Sequence, residues 1–449
     1  MSGFGFACQC DVKEEAVFKS IHNRLATVVL VGLVAAGSAD RVESAGFALF
    51  EQGAKATAMG GAFVATADDP SAMFFNPAGN AFAEDNLTLE GGGFLIFRPT
   101  AQFDGASPFP GDGYHAEMRK SVYAIGHGYG ILPLSKNVKL AAGFWTPAGL
   151  GVPWENPDTF RGRFLSQRVD IRQIALSAQL AVKLSDSIAI GAGPEVRFTD
   201  VKLSKNVGAI NPFTNRYVDV AQANIVSTGT PVNLGFGAGI LVKPCDRVRF
   251  GIAYHSGMTV NLEGGARFGQ IPTGSSQFDA AVAAGLPVGQ TVPATTAVQF
   301  PSLTIFGLAY DVTPNLVVEV DGNYTKWDVF DQTVLKISGL PDTTLVHNFE
   351  NTWTVRAGVL YKMKKGWLAG GFVYDQTPQP DADVSPFLPD SNRTGGSIGA
   401  GIRAGKFEFQ ISSLFLWFHE RTVSTNKDNF NGTYKTFAIL PGVTIKSTF

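Results

Sequence analysis

From Asn86 to the last residue the chain alternates apolar and polar side chains, and this period of two constrains the fold more than any other feature. In 316–326, Leu316, Val318, Val320 and Tyr324 fall on one face, and Glu319, Asp321, Asn323 and Thr325 on the other. The segment 352–363 sets Trp353, Val355, Ala357, Val359 and Tyr361 against Thr354, Arg356 and Lys362. Phe407, Phe409, Ile411, Phe415 and Trp417 repeat the pattern. Such alternation marks a strand with one apolar and one polar face. It predicts about fourteen strands, at 86–99, 121–134, 139–150, 171–184, 188–203, 226–242, 247–268, 300–312, 316–337, 351–363, 367–378, 395–404, 407–423 and 432–449. Most exceed the roughly 5–6 residues usual in soluble sheets. They suit tilted membrane-crossing strands, which need about 9–11 residues for the hydrocarbon alone.

Short connections such as 133–137, 243–246, 311–315, 364–366 and 404–406 alternate with long ones near 100–120, 151–170, 204–225, 269–299, 338–350, 379–394 and 424–431. Short turns on one rim and long loops on the other are the outer-membrane barrel pattern. In lipid a sheet must also close, because an open edge leaves backbone groups unpaired. The expected fold over 86–449 is an all-β, 14-stranded antiparallel transmembrane β-barrel, with a soluble sandwich or propeller as the alternative. The last strand, "LPGVTIKSTF", puts Val443, Ile445 and the terminal Phe449 on one face. A C-terminal aromatic of this kind is what bacterial outer-membrane barrels present to the barrel assembly machinery. The expected location is therefore the bacterial outer membrane, as a monomer, in contact with outer-membrane lipid and lipopolysaccharide.

Composition agrees. Charged residues are 16% and the formal net charge is −2, against a usual charged share of about 25%. A nucleic-acid partner would need a basic stripe, so none is expected. The 51 glycines, 35 phenylalanines and mean hydropathy of +0.09 fit alternating strands; helical spans would need about 20 consecutive apolar residues each. The one unbroken apolar run, 25–39, follows Lys19, His22 and Arg24 and leads into small residues, so 1–45 reads as a signal peptide, with an N-terminal anchor helix as the alternative. Cleavage would follow Ala39 or Ala45, and the acidic n-region suggests a mis-assigned start codon. Cys8 and Cys10 would be lost with it, leaving Cys245 without an intramolecular partner.

Residues 46–85 do not alternate. They are rich in Gly and Ala, with a helix start at Asp69-Pro70 and a turn enforced by Pro77 on Asn76. A barrel of fourteen strands is wide enough to need filling, so this segment is expected to be a small N-terminal helical hatch inside it.

The hatch segment "GFALFEQGAKATAMGGAFVATADDPSAMFFNPAGNA", with Asn76, Pro77 and Ala78 as its hatch motif, resembles the FadL-type long-chain fatty acid and hydrocarbon transporters. So do "PSLTIFGLAYDVTPNLVVEVDGNYTKWDVF", "NTWTVRAGVLY" and the Tyr374-Asp375, Pro378, Pro389-Asp390, Arg393 pattern. The resemblance implies the plugged barrel, capture of greasy molecules by a hydrophobic groove among the outer loops, and a pocket beside the hatch. It also implies exit through the wall at a kinked third strand. Lateral exit suits an apolar tail, which gains about 0.8 kcal/mol per CH₂ wherever it stays buried.

Several residues are candidates for those roles. Phe109, Trp154, Phe160, Phe213, Phe387 and Leu388 are expected to be exposed on the long loops, lining a capture groove or packing between loops. Pro147, with Gly149, marks the wall kink or a strand end, since proline cannot donate to the ladder. Parity places Arg197, Arg249, Glu319, Asp321, Arg356, Arg403 and Glu408 in the lumen. A fatty carboxylate needs a desolvated cationic partner. Arg197 or Arg356, with Lys202 nearby, could supply it, or could belong to a salt-bridge net tying hatch to wall. Phe74 and Phe75 are either plug packing or the floor of the substrate pocket.

Catalytic signals are poor. "GGSIG" at 395–399 lacks the strand-turn-helix setting of a nucleophile elbow, and the six histidines show no metal-ligand spacing. The expected function is passive, cofactor-free and metal-free uptake of hydrophobic substrates, long-chain fatty acids first. Aromatic or alkane hydrocarbon uptake is the alternative, and a barrel-embedded lipid hydrolase or general porin less so.

Overall fold

The computed structural model describes residues 46–227 and 232–449. The expected signal segment with its expected cleavage positions, and Cys8 and Cys10, lie outside the described residues. Fourteen strands form the wall: β1 (Thr88–Gly105), β2 (Val122–Pro133), β3 (Val138–Pro153), β4 (Arg168–Lys183), β5 (Ile188–Asn211), β6 (Asn233–Cys245), β7 (Val248–His255), β8 (Leu303–Thr313), β9 (Leu316–Thr325), β10 (Thr352–Met363), β11 (Gly366–Asp375), β12 (Arg393–Ala404), β13 (Phe407–Phe418) and β14 (Gly432–Thr448). Each pairs antiparallel with the next. β14 returns to β1, from Thr88 opposite Thr448 to Gly105 opposite Gly432, so the cylinder closes.

The alternation resolves inside out. On β9 the polar set Glu319, Asp321 and Asn323 is buried in the lumen, while Val320 is 55% exposed on the outer face. Val355, Phe372, Ile411 and Val443 likewise point outward, where lipid covers them. Glu319 and Asp321 find hatch partners on that inward face.

Three predicted strands are shorter than their alternating runs. The run at 247–268 breaks at Ser256-Gly257 and resumes as Met258–Gln270, which pairs with Thr291–Phe300 above the wall. A Cβ on Gly257 would lie 2.9 Å from the Phe300 carbonyl oxygen, so only glycine makes this corner. The run at 316–337 is interrupted by a 3₁₀ turn at Trp327–Val329, and that at 407–423 ends at Phe418 before a short strand, Arg421–Val423.

The hatch consists of α1 (Ala54–Ala58), α2 (Ala72–Phe75) and a 3₁₀ turn at Pro77–Phe82. Asp69 Oδ1 accepts from the Ser71 backbone N–H at 3.0 Å, bracing the entry to α2. Asn76 is extended at φ −162°, so α2 stops there; its Oδ1 accepts from Ala78 N at 3.1 Å and caps the 3₁₀ turn. Its Nδ2 donates to Val64 O (2.8 Å) and to Ile240 O of β6 (3.1 Å). The wall meets the hatch across glycines: a Cβ on Gly239 would lie 2.1 Å from Asn76 Oδ1, and one on Gly371 would lie 2.1 Å from Gly60 N.

Two carboxylates of β9 clip the hatch. Asp321 Oδ2 accepts from Phe63 N (2.8 Å) and Val64 N (3.1 Å), and Glu319 accepts from Ala65 N (2.7 Å) and Thr66 N (3.0 Å). Four consecutive buried backbone donors are thus satisfied by side-chain carboxyl acceptors two residues apart on one strand. Ser397, the serine of "GGSIG", donates to Ala58 O at 2.9 Å and is one more tether.

Candidate functional site

The wall is incomplete between β2 and β3. Their ladder runs only from Pro133 opposite Lys139 to Gly128 opposite Phe144. β3 continues to Pro153 against β4, with a register shift between Trp145 and Ala148, while the outer half of β2 pairs only with β1. Pro147 sits at that shift, within the strand, where its missing N–H interrupts the ladder. An arm leading into the hatch, residues 47–49, covers the opening: Leu49 N donates to Pro147 O (2.9 Å) and Gly149 N donates to Phe47 O (2.8 Å). Farther out, Arg98 donates to Gly151 O at 2.7 Å and to the Tyr123 hydroxyl at 2.9 Å.

Beneath the arm is a cavity of about 60 Å³. Phe47, Leu49, Phe50, Phe74, Pro147 and Trp327 supply its apolar lining; Gln173, Arg197 and His255 are its polar side chains of larger size. A cavity needs about 10–15 Å³ of such volume to admit one water, so this one is a few waters in size.

A second cavity, of about 740 Å³, lies among the outer loops. Leu203, Val207, Phe268, Ile337 and Phe349 line it, with Lys205 and Lys427 as cations. An aromatic run connects the two: Phe349 lies 5.8 Å from Trp327, and Trp327 lies 4.8 Å from Phe47, ring centre to ring centre. His347 is stacked on Phe330 at 4.2 Å beside this run. Burial, then the Lys427 charge, pushes the His347 imidazole down to about 4.

The loop aromatics are less exposed than expected. Trp154 and Phe160 are buried and stacked at 4.4 Å, and Trp154 Nε1 donates to Pro386 O at 3.0 Å, because the loops fold onto one another as a cap. Leu388 is buried and Phe387 half-buried, and both line the loop cavity. Phe109 (40% exposed) packs edgewise on Phe430, and Phe213 is exposed at a hairpin tip; neither lines the cavity.

The two arginine candidates are not brought together. Arg197 lines the inner cavity, its Nε and Nη2 donating to Glu195 Oε2 at 3.2 and 2.7 Å. Arg356 lies in a separate small void with Glu51, donates to Gly60 O at 2.8 Å and stacks over Phe50 at 4.3 Å. It ties hatch to wall. Lys202 is exposed and outside the inner cavity. Of the other lumenal candidates, Glu408 is buried, Arg249 is half-buried on Asp311, and Arg403 is exposed while paired with Glu408, since it stands beside the 404–406 turn. Phe74 lines the inner cavity, whereas Phe75 packs on Phe63 and Phe74 behind it.

Sequence reasoning missed His255, Gln173, Phe47 and Trp327. Parity puts Gln173 on the inward face with Ala175, but a neutral amide carries no signature. The other three depend on chain crossings. The motif residues Asp375 and Arg393 form an ion pair at 2.6 Å, and Asp390 accepts from Gly46 N at 3.1 Å, anchoring the start of the arm to a loop.

A closed strand cylinder, apolar outward, plugged within and with a gap in its ladder filled by the arm beside a small cavity, defines an outer-membrane channel protein. The family described as "Outer membrane protein transport protein (OMPP1/FadL/TodX)" matches residues 34–449, and the chain belongs to it. This is a family of outer-membrane transport channels for hydrophobic substrates. The chain is 24% identical over 407 residues to a putative outer membrane protein of Neisseria meningitidis, covering 85% of this chain and 87% of that one. It is 23% identical over 316 residues to a 47 kDa outer membrane protein of Pasteurella multocida, 66% of this chain and 70% of that one. Its fold is similar to that of a Pseudomonas aeruginosa FadL homologue (TM-score 0.76, 22% identity, 90% and 100% of the two chains). It is also similar to the Ralstonia pickettii toluene transporter TbuX (TM-score 0.67, 16% identity, 89% and 99%).

Proposed function

We propose that this protein takes up long-chain fatty acids by passive diffusion across the outer membrane. Amphiphiles are captured in the loop cavity, pass along Phe349, Trp327 and Phe47, and leave sideways between β2 and β3 where Pro147 breaks the ladder. The observation that carries the reading is the arm of residues 47–49, which fills the wall opening and roofs the inner cavity at once. Because that cavity is only a few waters in size, the arm must shift for a tail to pass. The backbone bonds to Pro147 and Gly149 are few enough to exchange for a ligand. Lateral release keeps the tail out of water throughout, which favours this route over an aqueous pore.

Arg197 at the inner cavity favours an acid over a hydrocarbon. Uptake of aromatic or alkane hydrocarbons is the second reading, favoured by the fold shared with a toluene transporter. Uptake of labelled oleate and toluene by cells with and without the protein tests both. The fatty-acid reading expects protein-dependent oleate entry; toluene entry alone selects the second, and no dependence for either refutes both.

A further inference from the structure

The rim that carries the short turns is unevenly charged. In barrels of this kind that rim faces the periplasm. Several of its cations are matched: Lys139 pairs with Asp85, Lys183 with Asp186 and Arg249 with Asp311. The greatest excess lies in one sector, at the β10–β11 and β12–β13 turns. Residues 361–366 and 402–408 carry Lys362, Lys364, Lys365, Arg403 and Lys406 against one carboxylate, Glu408. Glu408 is already taken by Arg403 at 2.9 Å and by Lys446 at 3.3 Å. Lys364 and Lys365 are exposed, and no carboxylate among the described residues pairs with either. Even with nearby Glu84 and a carboxylate at Phe449 counted, the sector stays positive.

Local structure does not call for lysine there. Lys364 and Lys365 fill a two-residue hairpin loop, a place that favours pairs containing glycine or asparagine, and neither has a positive φ. The fold sets this turn beside the next: Arg403 N donates to Lys365 O at 2.8 Å, and β11 pairs directly with β12. The two turns are thus two strand spacings apart, about 10 Å, so cationic side chains from both can meet one head group. Lys406 Nζ lies 5.3 Å from the ring centre of Phe407 and 4.3 Å from that of Phe449. Its stem follows apolar surface while its charge stays at the boundary. Next to the turns the outer face is apolar. Met363 stands opposite Gly366, Gly366 opposite Ile402, Ile402 opposite Phe409, and Phe409 opposite Ile445. Met363, Ile402, Phe409 and Ile445 are all exposed on that face.

We infer that this sector docks an anionic phospholipid of the inner leaflet. Lys364 and Lys365 hold its phosphate, Arg403 and Lys406 flank it, and its tails lie along the row from Met363 to Ile445. Charge and place together choose the occupant. Cations at a membrane boundary attract anionic lipid, and here they stand directly over exposed apolar side chains, which a soluble anion would leave uncovered. The site is on the outside of the barrel and shares no residue with the route past Phe349, Trp327 and Phe47, so it holds for either substrate. A bound lipid fixes the depth of this rim in the membrane.

The test counts lipids bound to the full-length protein by native mass spectrometry, with phosphatidylglycerol and phosphatidylcholine of equal chain length as probes. The wild type should bind phosphatidylglycerol at least about fivefold more tightly than phosphatidylcholine. Lys364→Gln with Lys365→Gln should cut that preference by at least about threefold. Lys183→Gln, on a turn whose lysine is paired, should leave it within about twofold. All three side chains are at the surface, and heat-modifiable gel mobility checks that each variant assembles. Equal wild-type binding of the two lipids, or an equal loss of preference in Lys183→Gln, would overturn the lipid site and leave the cations to a soluble acidic partner. Displacement of phosphatidylglycerol by millimolar inorganic phosphate would also overturn it, because a lone anion would then suffice.

Discussion

Replacing Asp321 by alanine should loosen the hatch without unmaking the barrel. Asp321 Oδ2 satisfies two buried donors, Phe63 N at 2.8 Å and Val64 N at 3.1 Å. Without it those N–H groups lose the side-chain acceptor they now share. An orphaned buried donor costs about 1–3 kcal/mol, so local opening of this segment becomes easier by about 2–6 kcal/mol. At about 1.4 kcal/mol per factor of ten, amide exchange at Phe63 and Val64 should accelerate at least about 30-fold. Asp321→Asn keeps an acceptor oxygen for these donors, so its effect should be smaller than that of alanine. Hydrogen exchange in nanodiscs reads this directly, with the amides of β11 and β12 as internal reference. Unchanged exchange at residues 63–66, or equal acceleration in the reference strands, would refute the clip.

Three further outcomes follow from the same geometry. Ala48 bridges Ala148 across the wall opening, so cysteines at both positions, with Cys245→Ser, should stop uptake when oxidised and restore it on reduction; transport through the locked form would refute an exit beneath the arm. His347 is held down at about 4, below its ordinary 6.5, so its neutral packing contributes fully above pH 6.5 and is lost as pH falls toward 4. Limited proteolysis of the outer loops should therefore quicken between pH 7 and pH 4.5, and His347→Gln should flatten that dependence. Replacing Asn76-Pro77-Ala78 by a helical tripeptide removes the 3₁₀ cap and the bonds to Val64 and Ile240; uptake should fall to background while heat-modifiable mobility persists.

Much of this molecule was written in its one-dimensional pattern. Alternation located every wall strand, because a residue's face on a strand depends only on parity. Side-chain class along β9 or β10 then tells lumen from lipid without knowledge of neighbours. The uncharged, glycine-rich run with Asn76-Pro77 likewise announced a compact plug, since its turns are set by local backbone chemistry. What parity could not settle is who meets whom inside. Arg197 and Arg356 share a face by parity, yet one lines the inner cavity and the other holds Gly60, because the hatch crosses the lumen at a height no strand encodes. Trp154 and Phe160 looked like exposed grease and are the core of a cap, since loops pack according to their neighbours. Pro147 was legible as a break in the ladder. That the arm at Phe47–Leu49 fills this break is a contact between segments about a hundred residues apart in the chain, and only the closed barrel brings them together.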